Sequence, residues 1–284
     1  MTSSDQSYIP EALRLDLPDV YQAIRDFIQS EVQLAGLKKA VVGVSGGIDS
    51  ALTLFLTVSA LGAENVLGVM MPYRTSNPDS LSDAEKAVKA AGCRSCVVDI
   101  SPMADPYFDD ITDEERLRKG NVLARMRMIV LYDLSAKEQG LVIGTGNKTE
   151  LLLGYATLHG DAACACEPLG DLYKTQVSAL AVLAGVPEEI INKPPSADLW
   201  VGQTDEEELG ITYADADRLL LQMVDFHIHP ARLIEKGEDE KAVNNLVNRY
   251  RQSQFKRSSP MIPKITSNHI DSDNFSSGAW KISL

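Results

Sequence analysis

One short stretch limits most strongly what this chain can become. Gly43-Val-Ser45-Gly46-Gly47-Ile48-Asp49-Ser50 joins an apolar run, residues 39–44, to an Ala- and Leu-rich segment running from Asp49 to Leu61. A brief apolar run closed by glycine reads as a buried strand, and the segment after it reads as a helix. Paired glycines permit positive φ and let a ligand approach the backbone. The helix that follows offers free N–H groups and the positive end of its dipole, so the junction is shaped for phosphate. The Ser45 and Ser50 hydroxyls add donors. Asp49 is a poor direct partner for phosphate and a good ligand for the Mg²⁺ that accompanies it. A plain strand-to-helix turn needs one glycine, not two flanked by serines and an aspartate.

The stretch has neither the Gly-x-Gly-x-x-Gly spacing of dinucleotide folds nor the Gly-Lys-Ser/Thr ending of a Walker loop. Residues 144–149, Gly-Thr-Gly-Asn-Lys-Thr, imitate that ending with Asn147 before Lys148.

Around this junction, apolar runs alternate with amphipathic segments. Strands are predicted at 65–72, 96–100 and 141–144. Helices are predicted at 49–61, 82–91 and 121–137, the last closed by Gly140. Such alternation implies right-handed crossovers and an open parallel sheet with helices on both faces, its ligands beyond the carboxyl ends of the strands. The second half reads as helical: 175–184, 187–191, a helix capped by Thr212 and reaching Met223 with Asp215 in the capping-box position, and 239–255. Between them, a long loop from Lys193 to Gly210 carries the acidic run Asp205 to Glu208, expected as a solvated, mobile segment. Residues 264–284 read as a poorly packed, flexible tail, and no linker divides the rest into two domains.

Charge and cysteine content exclude several classes. The 284 residues carry 27 Lys and Arg against 40 Asp and Glu, a net charge of −13, which opposes broad binding to nucleic acid or an anionic membrane. The N-terminus has no basic start followed by an apolar core, and no stretch approaches the length of a membrane span, so a cytoplasmic protein is expected. Cys93, Cys96, Cys164 and Cys166 pair as C-x2-C and C-x-C. That pattern leaves open a four-sulfur metal site against the simpler reading of small buried side chains. His227 and His229 lack a third ligand nearby and read as surface or core residues.

Ser-Gly-Gly-x-Asp-Ser resembles the signature of the PP-loop ATP-pyrophosphatases, which include amide-forming ligases and RNA sulfur-transfer enzymes. Further blocks narrow the resemblance. They are Gly120 to Met128, Gly144 to Glu150, Gly170 to Gln176, Lys193 to Trp200 and Gly202 to Gly210. In this order they resemble the ammonia-dependent NAD synthetase family over residues 15–260. The resemblance implies an adenine nucleotide alpha hydrolase-like fold and a homodimer that adenylates the nicotinate carboxylate of deamido-NAD and lets ammonia displace AMP.

The resemblance places ATP against Gly43, Ser45, Gly46, Gly47, Asp49, Ser50, Thr145, Lys174 and Ser196, and Mg²⁺ on Asp49 and Glu150. Asp49 and Lys174 take the catalytic roles, and Arg125, Tyr155, Asp161 and Lys256 contact the acid substrate. It also makes the Lys193–Gly210 loop a lid over the reactive adenylate. A chain of this length has no room for an amidase beside the ligase, so free ammonia or a separate donor is expected.

The chain departs from the family pattern on the acid-substrate side. Where the family carries a lysine, an aspartate and a histidine, this sequence has Leu158, Ala165 and Phe255. His159 and Lys256 stand close enough in sequence to compensate. The alternative is the same chemistry on a smaller or less charged acid. An RNA sulfur-transfer enzyme would need basic clusters that this acidic chain offers only around Arg249 to Arg251 and Lys256-Arg257. A non-catalytic nucleotide binder would need neither Asp49 nor Glu150.

Overall fold

The computed structural model describes residues 10–108, 111, 115–194 and 205–258, with 263 and 265. Ser196, most of the expected lid and the expected tail, apart from Ile265, lie outside the described residues.

The first helix, α1 (Leu17–Leu34), starts at Asp16, whose side chain accepts the Asp19 N–H, with Pro18 in the first turn. Its buried stripe of Leu17, Ile24, Ile28 and Val32 has helical spacing. There follow β1 (Lys39–Gly43), α2 (Ile48–Leu61), β2 (Val66–Met70), α3 (Pro78–Ala91), β3 (Arg94–Val97), α4 (Ser101–Ala104), α5 (Arg116–Glu138) and β4 (Gly140–Ile143). The second half holds α6 (Lys148–Leu153), α7 (Lys174–Ala184), α8 (Glu188–Ile191), α9 (Asp205–Leu209), α10 (Tyr213–Leu220), α11 (Pro230–Glu235) and α12 (Glu240–Gln252).

All four strands are parallel, in the order β3-β2-β1-β4. The chain therefore runs outward from β1 to β3 and returns through α5 to pair β4 on the other side of β1. That reversal opens a crevice at the carboxyl ends of β1 and β4. Because successive side chains point to opposite faces, Val42, Val44, Val66 and Met70 join the cluster beneath α1, α2, α3 and α7, while Val41, Leu67 and Val69 pack with Leu123 and Val130 of α5. Helix α2 lies deepest: Ala51, Leu52, Leu54 and Leu56 are fully buried, each leucine contributing about 2 kcal/mol of apolar burial. Among the described residues no helix is long and apolar enough to cross a membrane.

Several expectations are corrected. Helix α5 is closed by Gln139, in the left-handed region at φ 52°, and not by Gly140. Gly140 opens β4, where a Cβ would lie 3.3 Å from the Lys39 and Ala40 backbone. Strand β3 begins two residues early because Arg94 and Ser95 lie exposed on the sheet edge and show no apolar pattern, while pairing continues irregularly through Val98 N–H to Met70 and Ile100 N–H to Pro72. The acidic run is a one-turn helix, α9, with Asp205 buried. Helix α10 continues as a π-helical turn, Leu221–Asp225, two residues beyond the expected end. Thr212 caps it as expected, its hydroxyl accepting the Asp215 N–H and donating to the Asp215 carboxylate.

Candidate active site

A cleft of about 1300 Å³ opens where β1 and β4 end, large by the standard of small-molecule pockets. Gly43, Ser45, Gly47, Asp49 and Ser50 line it. The loop is held by its own hydroxyls: Ser45 Oγ lies 3.0 Å from Ser50 Oγ and accepts the Gly47 N–H at 3.2 Å, and Ser50 Oγ donates to Gly47 O. Gly46 is buried within the loop. At φ 87° its missing Cβ would meet the Ser80 carbonyl oxygen at 2.2 Å, so this glycine lets α3 press against the loop.

Three helix starts converge on one point of the cleft. Asp49 stands in the first turn of α2, Glu150 in the first turn of α6, and Lys174 opens α7. The Lys174 ammonium binds Asp49 Oδ2 in a very short contact and reaches Glu150 Oε1 at 3.4 Å. Asn147, fully buried, completes the group. Its Oδ1 accepts the Glu150 N–H as the α6 cap, its own N–H is taken by the Glu150 carboxylate, and its Nδ2 donates to Asp49 Oδ1 at 2.8 Å. Burial and the neighbouring Asp49 charge push the Glu150 carboxyl up to about 8, against the pull of the Lys174 ammonium. Two carboxylates that share one cation and still lack positive charge fit a divalent cation.

In the sequence Asn147 stands in the Walker-like run and the Gly144 to Glu150 block with no role attached, and the structure makes it the cap of α6. Lys148, the lysine of the Walker-like run, points elsewhere, pairing with Asp171 and Asp225. Asp205 belongs to the acidic run of the expected lid with no individual role read for it, and Tyr213 carries no sequence signal for the site. Asp205 accepts the hydroxyls of Tyr155 at 3.0 Å and Tyr213 at 3.1 Å, and the Tyr213 ring lies 5.3 Å from the Lys174 ammonium. Thr145 lines the cleft from the end of β4.

The opposite wall is the segment Gly154–Cys166, which returns beside β4 through hydrogen bonds from Ala165 N–H to Val142 O and from Gly144 N–H to Cys166 O. Tyr155 and Asp161 line the cleft, and Asp161 accepts the Thr157 N–H at 2.8 Å. His159, at φ 60°, sits in a backbone region that costs about 1 kcal/mol outside glycine. Lys256 also lines the cleft, but its ammonium is committed to the Gly154 and Ala156 carbonyls at 2.8 and 2.6 Å. Cys164 lines the floor, with Glu167 behind it. Desolvation pushes the Glu167 carboxyl up to about 7, although it accepts from the Cys164 thiol and the Gly146 N–H. All four thiols are free, and Cys166 is buried.

Arg125 is exposed, donates to Leu158 O at 3.3 Å, and lines a second, shallower hollow that shares Leu117 and Asn121 with the main cleft. Its helix neighbour Arg127 faces the main cleft and donates to Met71 O.

Comparison with known proteins agrees with this geometry. Residues 20–260 match the NAD synthase family model. The NH(3)-dependent NAD(+) synthetase of Trichlorobacter lovleyi is 50% identical over 268 residues, spanning 94% of this chain and 98% of that protein. Among solved structures, the NH3-dependent NAD synthetase of Campylobacter jejuni is similar at a TM-score of 0.75 with 34% identity, covering 88% of this chain and 100% of that one. The NMN synthetase of Francisella tularensis is similar at 0.78 with 29% identity, covering 88% and 99%.

Proposed function

The chain belongs to the NAD synthase family, and from that premise we propose how its cleft works as an ATP-dependent amide ligase. The ligase joins ammonia to the nicotinate carboxylate of deamido-NAD and splits ATP into AMP and pyrophosphate. Of the two branches left open by the glycine loop, the relatives fall in the amide-forming one.

In our reading the Gly43–Ser50 loop and the start of α2 receive the ATP phosphates, joined by Thr145 and, in the Lys193–Trp200 block, Ser196. The acid carboxylate is already ionised and attacks the α-phosphorus without a base. As the bond to the β-phosphate oxygen breaks, negative charge gathers on the departing pyrophosphate. The Lys174 ammonium is placed to meet that charge. Asp49 and Glu150 would hold Mg²⁺, which would neutralise phosphate charge when bound. In the second step the ammonia nitrogen attacks the acyl carbon, AMP leaves with the bond electrons, and the nitrogen loses a proton. Tyr155, Asp161 and Lys256 shape the acid side.

The observation that carries this reading is the meeting of Asp49, Glu150 and Lys174 at one point from three helix starts. Purified protein with Mg²⁺, ATP, ammonium and deamido-NAD should release AMP and pyrophosphate one for one with NAD. Replacing Asp49 or Glu150 by Ala should remove pyrophosphate release. Retention of that release would refute the metal assignment.

We also read the chain as a homodimer. Helix α5 exposes Leu117, Ile129 and Tyr132 along one stripe that also carries Arg125. A partner seated there would cover Arg125, whose contact with substrate would then run at the interface. Leu158 and Ala165, uncharged at the acid side, favour testing a smaller acid beside deamido-NAD in the same assay.

A further inference from the structure

Asp217 of α10 has no solvent exposure and touches none of the groups assigned to the reaction. Its carboxylate nevertheless takes three hydrogen bonds, all from residues next to those groups. Oδ1 accepts the Thr149 hydroxyl at 2.5 Å, and Oδ2 accepts the Thr175 N–H at 2.9 Å and the Thr175 hydroxyl at 2.8 Å. Thr149 precedes Glu150 on α6, and Thr175 follows Lys174 on α7. The Thr149 oxygen also accepts the Lys174 backbone N–H at 3.0 Å. One acceptor thus ties together the first turns of two helices that no strand or short loop joins.

We propose that Asp217 is a positioning residue for adenylation: it fixes the register of α6 against α7, and so the approach of the Lys174 ammonium to Glu150. This rests on the assignment of Lys174 and Glu150 to the reacting phosphates. The polarity of the network makes the role specific to a carboxylate. Thr149 spends its proton on Asp217 and a lone pair on Lys174 N–H, and Thr175 spends both donors on the other oxygen. An Asn at 217 keeps the shape but turns an N–H₂ toward one of these donors and leaves it unpaired in a buried site. Asp225, at the end of the π-helical turn, holds the outer side of the same junction through Lys148 and the Tyr173 hydroxyl at 3.0 Å, and it is partly exposed.

The test measures kcat, KM for ATP and the urea midpoint for D217N, T149V, T149S, their double variant D217N/T149V, the stability control V243A and the site control K174A. Val243 is fully buried on α12 and has no part in this network. D217N and T149V should each lower kcat at least about tenfold, the order expected for one broken buried hydrogen bond, and change KM for ATP less. T149S, which keeps the hydroxyl, should stay within about threefold of the parent, and the double variant should be no slower than D217N alone. V243A should lose stability without losing kcat. The proposal is overturned if T149V keeps parental kcat, if the two losses multiply, or if kcat simply follows the urea midpoint. Should K174A retain activity, the site assignment itself fails, which is a separate outcome. If D217N does not fold, T149V and T149S still decide.

Discussion

The Gly43–Ser50 wall of the cleft and the Gly154–Cys166 wall hold their side chains by different means. On the first wall the polar side chains bind one another: Ser45 to Ser50, Asp49 to Asn147 and Lys174, Glu150 to Lys174. On the second, side chains mostly hold backbone: Lys256 takes two carbonyls, Asp161 an N–H, and Leu158 and Ala165 present no charge. A wall whose functional groups fix each other tolerates little change, because each loss orphans a buried partner. A wall fixed through its backbone can exchange exposed side chains and keep its path. Of the departures from the family pattern, Leu158 and Ala165 fall on the second wall and Phe255 lies exposed on the turn after α12, while the groups proposed to meet ATP are retained on the first.

Breaking the first wall should have the largest effect. Gly46→Ala places a methyl against the Ser80 carbonyl and strains a positive φ. It should cost about 3 kcal/mol of stability in urea unfolding, and an unchanged midpoint would mean that α3 does not press on the loop. On the second wall, Lys256→Ala releases the Gly154 and Ala156 carbonyls. It should raise KM for the acid about tenfold while leaving KM for ATP near the parent value in steady-state assays. Equal changes in both constants would erase the distinction between the walls.

A smaller effect concerns pH. Glu150 has a folded-state affinity for protons well above that of an unfolded carboxyl, so the ligand-free protein binds more protons than the unfolded chain between about pH 4.5 and 8. Stability from this group is therefore full below that window and lost as pH rises through it. Glu150→Gln should flatten the fall of the urea midpoint across the window, and a slope identical to the parent would show that Glu150 is not the source. The smallest effect should come from Leu158→Lys. Because its backbone oxygen, engaged by Arg125, is kept in the variant, the substitution should move KM for the acid less than about threefold. A tenfold gain would instead mean that the missing lysine is a defect.

How much was legible before the structure follows the same division. The glycine loop and Asp49 are visible because close approach to phosphate and cations demands particular residues in order along the chain, whereas Glu150 and Lys174 are marked by the family resemblance. The alternating sheet was equally visible from its buried runs. Helix α1 escaped notice, although Asp16, Pro18 and its apolar stripe mark it in hindsight. The partners of Asn147, Asp205, Tyr213 and Asp217 were hidden for a different reason. Each of these residues acts through partners 50 or more residues away or on another helix, or through a network whose members look ordinary one at a time. Arg125 shows the reverse case: its motif is plain, yet within a single chain it faces the shallower hollow beside the cleft.

The most direct test of the convergent Asp49, Glu150 and Lys174 group is the identity of the phosphate products made by the parent protein and by Asp49→Ala in parallel. With ATP, Mg²⁺, ammonium and deamido-NAD, the parent should yield AMP and pyrophosphate in step with NAD, and Asp49→Ala should yield neither above background. ADP and inorganic phosphate from the parent, or pyrophosphate from Asp49→Ala at the parental rate, would contradict it.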